Sequence, residues 1–162
     1  MEEVSSTGLD QYLKAEKYVS GYDFRGSEEV ERYRAIVDLV GLSEFADPDT
    51  PGASVSVTVA YWRKANQIHS WFVQNVQGGE DECQPHHVSR EQLRDLRDLC
   101  AKLVREKDYA AAENLLAPAE GFFFGSTEID EWYWKDLEDT VTQLDRVLSA
   151  PDGVDFVYQS SW

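Results

Sequence analysis

Ile129, Tyr133, Leu137, Val141, Leu144 and Leu148 recur at intervals of three and four residues, so a helix through them carries one continuous apolar face. A face of that length cannot remain in water, and the chain must supply a second layer to cover it. Leu93, Leu96, Leu99, Cys100 and Leu103 repeat in the same way and predict a second long helix. Ser89 and Gln92 form its capping box, with Val88 and Leu93 as the hydrophobic staple. Thr127 with Asp130 is expected to cap the last helix, and Pro151-Asp152-Gly153 to end it.

What these faces pack on is read from segments of a different period. Residues 8–19 alternate roughly by two and are rich in Tyr and Val, a strand pattern. After the breaker Asp47-Pro48-Asp49-Thr50-Pro51-Gly52, Val55, Val57 and Val59 alternate with Ser54, Ser56 and Thr58, which predicts a strand with Val inward. Val154 to Tyr158 reads as a third. Between the first two, Ser27 is the expected N-cap of a helix through Val30, Tyr33, Val37 and Val40 that ends near Gly41. From Ala60 the period changes: Tyr61, Ala65, Ile68 and Phe72 form one stripe and Trp62, Asn66, His69 and Val73 the next, so a helix is expected through 61–72. Gln77 to Glu82 is a polar loop, and a short helix is expected from Tyr109 to Leu116. The expectation is an α+β fold, a three-stranded sheet under a helical layer, as a single domain over residues 8–162 with 1–7 as an N-terminal extension.

Composition narrows the partners. The 162 residues, 42% of them apolar, suffice for one core. With 31 Asp and Glu against 15 Lys and Arg the net charge is −16, which repels phosphate backbones and anionic membrane surfaces, so neither direct nucleic-acid binding nor membrane binding is expected. Two cysteines make no disulfide scaffold, and no stretch resembles a signal peptide or a membrane span. A cytoplasmic protein is expected.

The charge is not evenly spread. Between Asp49 and Glu80 there is no acid, and only Arg63 and Lys64 carry formal charge. The same window holds Tyr61, Trp62, Asn66, Gln67, His69, Trp71 and Phe72, a mixture of cations, amides and flat rings that suits a planar anionic ligand. The competing reading is a partly buried helix whose aromatic residues are core. A second feature is Gly121-Phe122-Phe123-Phe124-Gly125-Ser126-Thr127, three Phe between glycines just ahead of a helix N-terminus, where backbone N–H groups can meet an anion. The ligand-binding candidates are therefore Tyr61, Trp62, Arg63, Lys64, Asn66, His69, Phe123, Gly125 and Ser126. Cys83, His86 and His87 are too few for a zinc site. His69 is the best-placed general base. Asp130, Glu131, Asp136, Glu138 and Asp139 could supply a carboxylate pair, although an acidic run on a helix face is ordinarily solvation. No catalytic signature is present, so no catalytic residue, metal or cofactor is expected.

Gly8-Leu9-Asp10 with Tyr12-Leu13, the block Ala60-Tyr61-Trp62-Arg63-Lys64-Ala65-Asn66, Ile68-His69 with Trp71-Phe72-Val73, Gly121 to Thr127 with Asp130, and Ser160-Ser161-Trp162 resemble a family of small proteins encoded by bacteriophages and prophages. The resemblance implies a phage setting and the host cytoplasm, and it transfers no catalytic residue. Phage proteins of this size often act against host defence, and several kinds sequester its nucleotide signals; the link is one of setting. Three functions follow in order: a non-enzymatic protein that sequesters a small phosphorylated or ADP-ribose-like nucleotide; an acidic inhibitor, in the manner of a DNA mimic, of a host defence nuclease or restriction complex; and a nucleotide-cleaving enzyme using His69. A homo-oligomer is compatible with each.

Overall fold

The computed structural model describes residues 8–121 and 124–162. In chain order the elements are β1 (Asp10–Ser20), a 3-10 turn (Asp23–Arg25), α1 (Ser27–Leu39), β2 (Gly52–Arg63), α2 (Asn66–Asn75), β3 (His86–Val88), α3 (Arg90–Glu106), α4 (Tyr109–Leu115), α5 (Glu131–Leu148) and β4 (Asp155–Ser161). The fold is α+β with one four-stranded sheet in the order β2-β1-β4-β3. The strand beyond the expected three is β3. Its three residues are too few to show a period; pairing makes it a strand, with His86 opposite Tyr158 and Val88 opposite Phe156.

The two long helices follow their stripes. The Ser89 side chain accepts from Gln92 N, and the Gln92 side chain accepts in turn from Ser89 N, both at 3.0 Å. Two expected caps are corrected. Asp130, not Thr127, starts α5, accepting from Tyr133 N at 3.0 Å. Gly26, not Ser27, precedes α1, and no side chain caps it. The larger correction is at 61–72: β2 continues through Tyr61, Trp62 and Arg63, and the helix begins only at Asn66. Ala60 and Trp62 are buried while Tyr61 is exposed, so the segment obeys a two-residue period that the helical stripes happened to overlap.

Chain contacts divide the described residues into two compact units. One comprises the residues up to Ala15 with Thr58–Trp162. Its core joins Leu13, Trp62, Phe156 and Tyr158 of the strands to Ile68 and Phe72 of α2, Leu93 and Leu96 of α3, and Leu137 and Leu144 of α5. Gln143 and Arg146 of α5 also close the outer edge of β2: Tyr61 N donates to Gln143 Oε1, Gln143 Nε2 donates to Tyr61 O, and Arg146 Nη2 donates to Val59 O. Such cover keeps an edge strand from pairing elsewhere.

The other unit is Glu16–Val57, in which Val30 and Tyr33 of α1 are buried and Ser20 N donates to Glu29 at 2.9 Å. Val55 and Val57 do not turn inward as expected; both are exposed. The register explains part of this. Lys64 N donates to Leu9 O and Gly21 N to Pro51 O, so β2 takes one residue more than β1 between the two bonds. That is a β-bulge, and because the Ser56 hydroxyl still reaches Glu16, it lies between Ser56 and Tyr61. Beyond it the alternation of inner and outer residues reverses.

Candidate functional site

The turn from β2 into α2 is made in two residues. Lys64 takes the left-handed conformation at φ 57°, and Ala65 (φ −76°, ψ 73°) closes an inverse γ-turn in which Asn66 N donates to Lys64 O at 2.9 Å. A non-glycine residue held there costs of order 1–2 kcal/mol, and such strain clusters at functional sites. Here it projects Lys64 from the end of the strand, with no ionic or hydrogen-bond partner for its ammonium among the described residues.

Asn66 then spends its whole amide on the loop before α5. Its Nδ2 donates to Phe124 O at 2.9 Å and Ser126 O at 2.8 Å, and its Oδ1 accepts from Ala119 N at 3.0 Å. The clamp lays Gly125 against Lys64: a Cβ at Gly125 would stand 3.4 Å from Lys64 Cβ, and its φ of +85° independently favours glycine.

These pieces enclose a cleft of about 390 Å³, bounded by Arg63, Lys64, Gln67, Gly125, Ser126, Asp130, Trp132 and Asp136 among others. A neighbouring depression of about 400 Å³ shares Arg63 and Asp136 and adds Tyr61 and Asp139. The window without acids thus meets carboxylates from another part of the chain, since Glu128, Asp130 and Asp136 all line the cleft. The site offers both signs of charge, not the cationic surface that the window alone suggested.

Arg63 is partly committed, donating from Nη1 to Asp10 at 3.1 and 3.4 Å. The Tyr61 hydroxyl also donates to Asp10. Asp136 accepts from Gln67 Nε2 at 3.1 Å. Burial pushes its carboxyl up to about 6, against the opposing pull of that amide bond. Because the folded state keeps a proton that the unfolded chain has released above about pH 4, this group lowers stability as pH rises from 4 to 6. A rise of about two pH units corresponds to about 3 kcal/mol, which solvent exposure reduces to roughly 1–2 kcal/mol. Asp136→Asn is expected to gain about 1 kcal/mol at pH 7 and to flatten the fall between pH 4 and 6 in urea titrations. An unchanged pH profile would refute the assignment.

Of the nine candidates from the sequence, Arg63, Lys64, Asn66, Gly125 and Ser126 converge on the cleft, with Asn66 as its clamp, while Tyr61 lies in the adjoining depression. Trp62 is core: its indole is buried and donates to Thr140 Oγ1 at 2.9 Å. Phe123 lies outside the described residues. His69 is placed elsewhere, 1% exposed, with Nδ1 2.7 Å from the Tyr158 hydroxyl and Nε2 2.8 Å from Asp81 Oδ2. Both ring nitrogens are held by the protein, so the expectation of a solvent-reachable base is corrected. Trp132 is the residue that sequence reasoning missed, 76% exposed on the rim. Its signal was an indole on α5 outside the apolar stripe. Among the described residues no three His, Cys, Asp or Glu side chains gather as a metal site, and no helix is long and apolar enough to cross a membrane.

No family model, curated protein or solved structure matches the chain.

Proposed function

We propose that the cleft binds and sequesters a small phosphorylated nucleotide, of the ADP-ribose or nucleoside phosphate kind. The observation that carries this is Lys64, whose ammonium has no partner among the described residues and sits on a strained backbone, in the same cleft as the exposed indole of Trp132. Lys64, the free side of Arg63 and the Ser126 hydroxyl suit phosphate oxygens. Asp130 and Asp136 suit ribose hydroxyls, which donate to carboxylates, and Trp132 offers a face on which a base can stack. A purely anionic ligand would leave the carboxylates facing like charge; a ribose phosphate uses both sets. Binding without turnover agrees with a cleft in which the one histidine of the region takes no part.

Calorimetry with ADP-ribose, AMP and cyclic dinucleotides tests the reading. Lys64→Ala is expected to weaken the best ligand by roughly 1.5–3 kcal/mol and Trp132→Ala by about 1–3 kcal/mol, with little change in stability. Ligand released by heating the complex should be chemically unchanged. If none of the panel binds below millimolar concentration, or if both variants keep full affinity, the proposal fails.

A further inference from the structure

The unit Glu16–Val57 leaves apolar surface in water. Leu39, Val40, Leu42, Phe45 and Val57 are each more than half exposed. A groove of about 720 Å³ runs there between α1, the 42–47 segment and β2, and its β2 wall is the unbroken run Gly52 to Ser56. Side chains of a strand alternate between faces, so a wall made of consecutive residues is the main-chain edge itself.

That edge is open. β2 is an outer strand of the sheet. Pro51 O turns toward β1, where it accepts from Gly21, so on this side of the bulge Ser54 and Ser56 direct their N–H and C=O groups away from β1. Among the described residues no hydrogen bond from outside the sheet reaches the main chain of 52–57, although Val59 and Tyr61 farther along are closed by α5. Usual edge protection is missing as well, since Gly52 to Thr58 contain neither a charge nor a proline.

We infer that this edge is the seat of a symmetric dimer, in which β2 of a second copy pairs antiparallel with β2 about Val55. Free main-chain groups in register call for a strand, and this chain carries one that complements itself. A two-fold axis at Val55 sets Ser54 opposite Ser56 of the second copy in hydrogen-bonded pairs. It also sets Val55 against its symmetry mate and Ala53 against Val57. Both open edges close in one contact, and the exposed apolar side chains beside them would add buried apolar surface to it. Charge points the same way. A cationic partner would find no carboxylate on Thr50 to Thr58, whereas two chains of −16 can approach most closely along that uncharged line.

Sedimentation of the full chain from 10 to 300 µM, in 0.15 and 1 M NaCl, is the test. The expected result is a species of twice the chain mass, tighter at high salt because repulsion elsewhere is screened. Val55→Lys sets like charges opposite each other, and Ser56→Pro removes an outward N–H that the ladder to β1 does not use. Each should weaken the dimer at least about 30-fold with the circular dichroism and melting temperature of the isolated chain retained. A chain monomeric throughout, or a dimer indifferent to both substitutions, overturns the inference. Salt that weakens association instead would show a charge-driven contact and overturns it equally.

Discussion

Replacing His69 by alanine is expected to cost about 3–5 kcal/mol of stability, a large share of the 5–15 kcal/mol typical of a domain. The reason is the hydrogen-bond chain that crosses the core. Gln11 Nε2 donates to Ala65 O at 3.0 Å, which turns Gln11 Oε1 toward the Tyr158 hydroxyl, and that hydroxyl donates to it at 3.0 Å. With its one hydrogen used, Tyr158 can only accept from His69, so Nδ1 carries a hydrogen. Nε2 lies against Asp81 Oδ2, while Asp81 Oδ1 accepts from the Trp162 indole at 3.1 Å. Alanine would leave a cavity beside the stacked rings of Phe72 and Tyr158 and take one hydrogen bond from each partner of the imidazole, breaking the chain at its centre. Urea unfolding followed by tryptophan fluorescence measures the loss; a drop under about 1 kcal/mol would show that the chain of bonds is dispensable. The same prediction changes how His69 variants are read, because lost activity in one would report unfolding before it reported chemistry.

Asn66→Ala is the second large effect, expected at about 2–4 kcal/mol, because it strips partners from Ala119 N, Phe124 O and Ser126 O at once. It should also abolish ligand binding, since the loop carrying Gly125 and Ser126 is released while Lys64 and Trp132 are untouched. Hydrogen exchange would show the amides of Ala119 and Phe124 losing protection ahead of the rest of the protein. A variant that keeps both that protection and the affinity would show that the loop holds itself.

Lys64 and Asn66 also mark where reading the sequence succeeded and where it stopped. Helices α3 and α5 are written in their stripes, since a two-sided environment demands a periodic pattern. The end of β2 is not, because Tyr61-Trp62-Arg63 satisfies both periods and the break comes from a lysine in a conformation that glycine usually signals. The acid-free window points to Arg63 and Lys64, and both line the cleft. It could not show that Asp130 and Asp136, some seventy residues on, face them, nor that Asn66 serves the loop, because contacts between distant segments leave no local mark. His69 was misjudged for a related reason: its partners Tyr158 and Asp81 come from separate segments, and a histidine bound at both nitrogens looks in sequence like one that is free.

The sheet order β2-β1-β4-β3 has a consequence for biosynthesis. The strand between β1 and β3 is the last of the described elements in chain order, so neither neighbour can be paired on that side until β4, which begins at Asp155, has been made. At the usual pace of translation β1 waits on the order of ten seconds for its partner. Over that interval the segment Glu16–Val57, whose elements are adjacent in the chain, is free to form first, while Leu9, Leu13 and the apolar faces of α3 and α5 have no complete core to enter. The main unit therefore completes its core late, and the nascent chain is most exposed to aggregation and to chaperones just before β4 arrives.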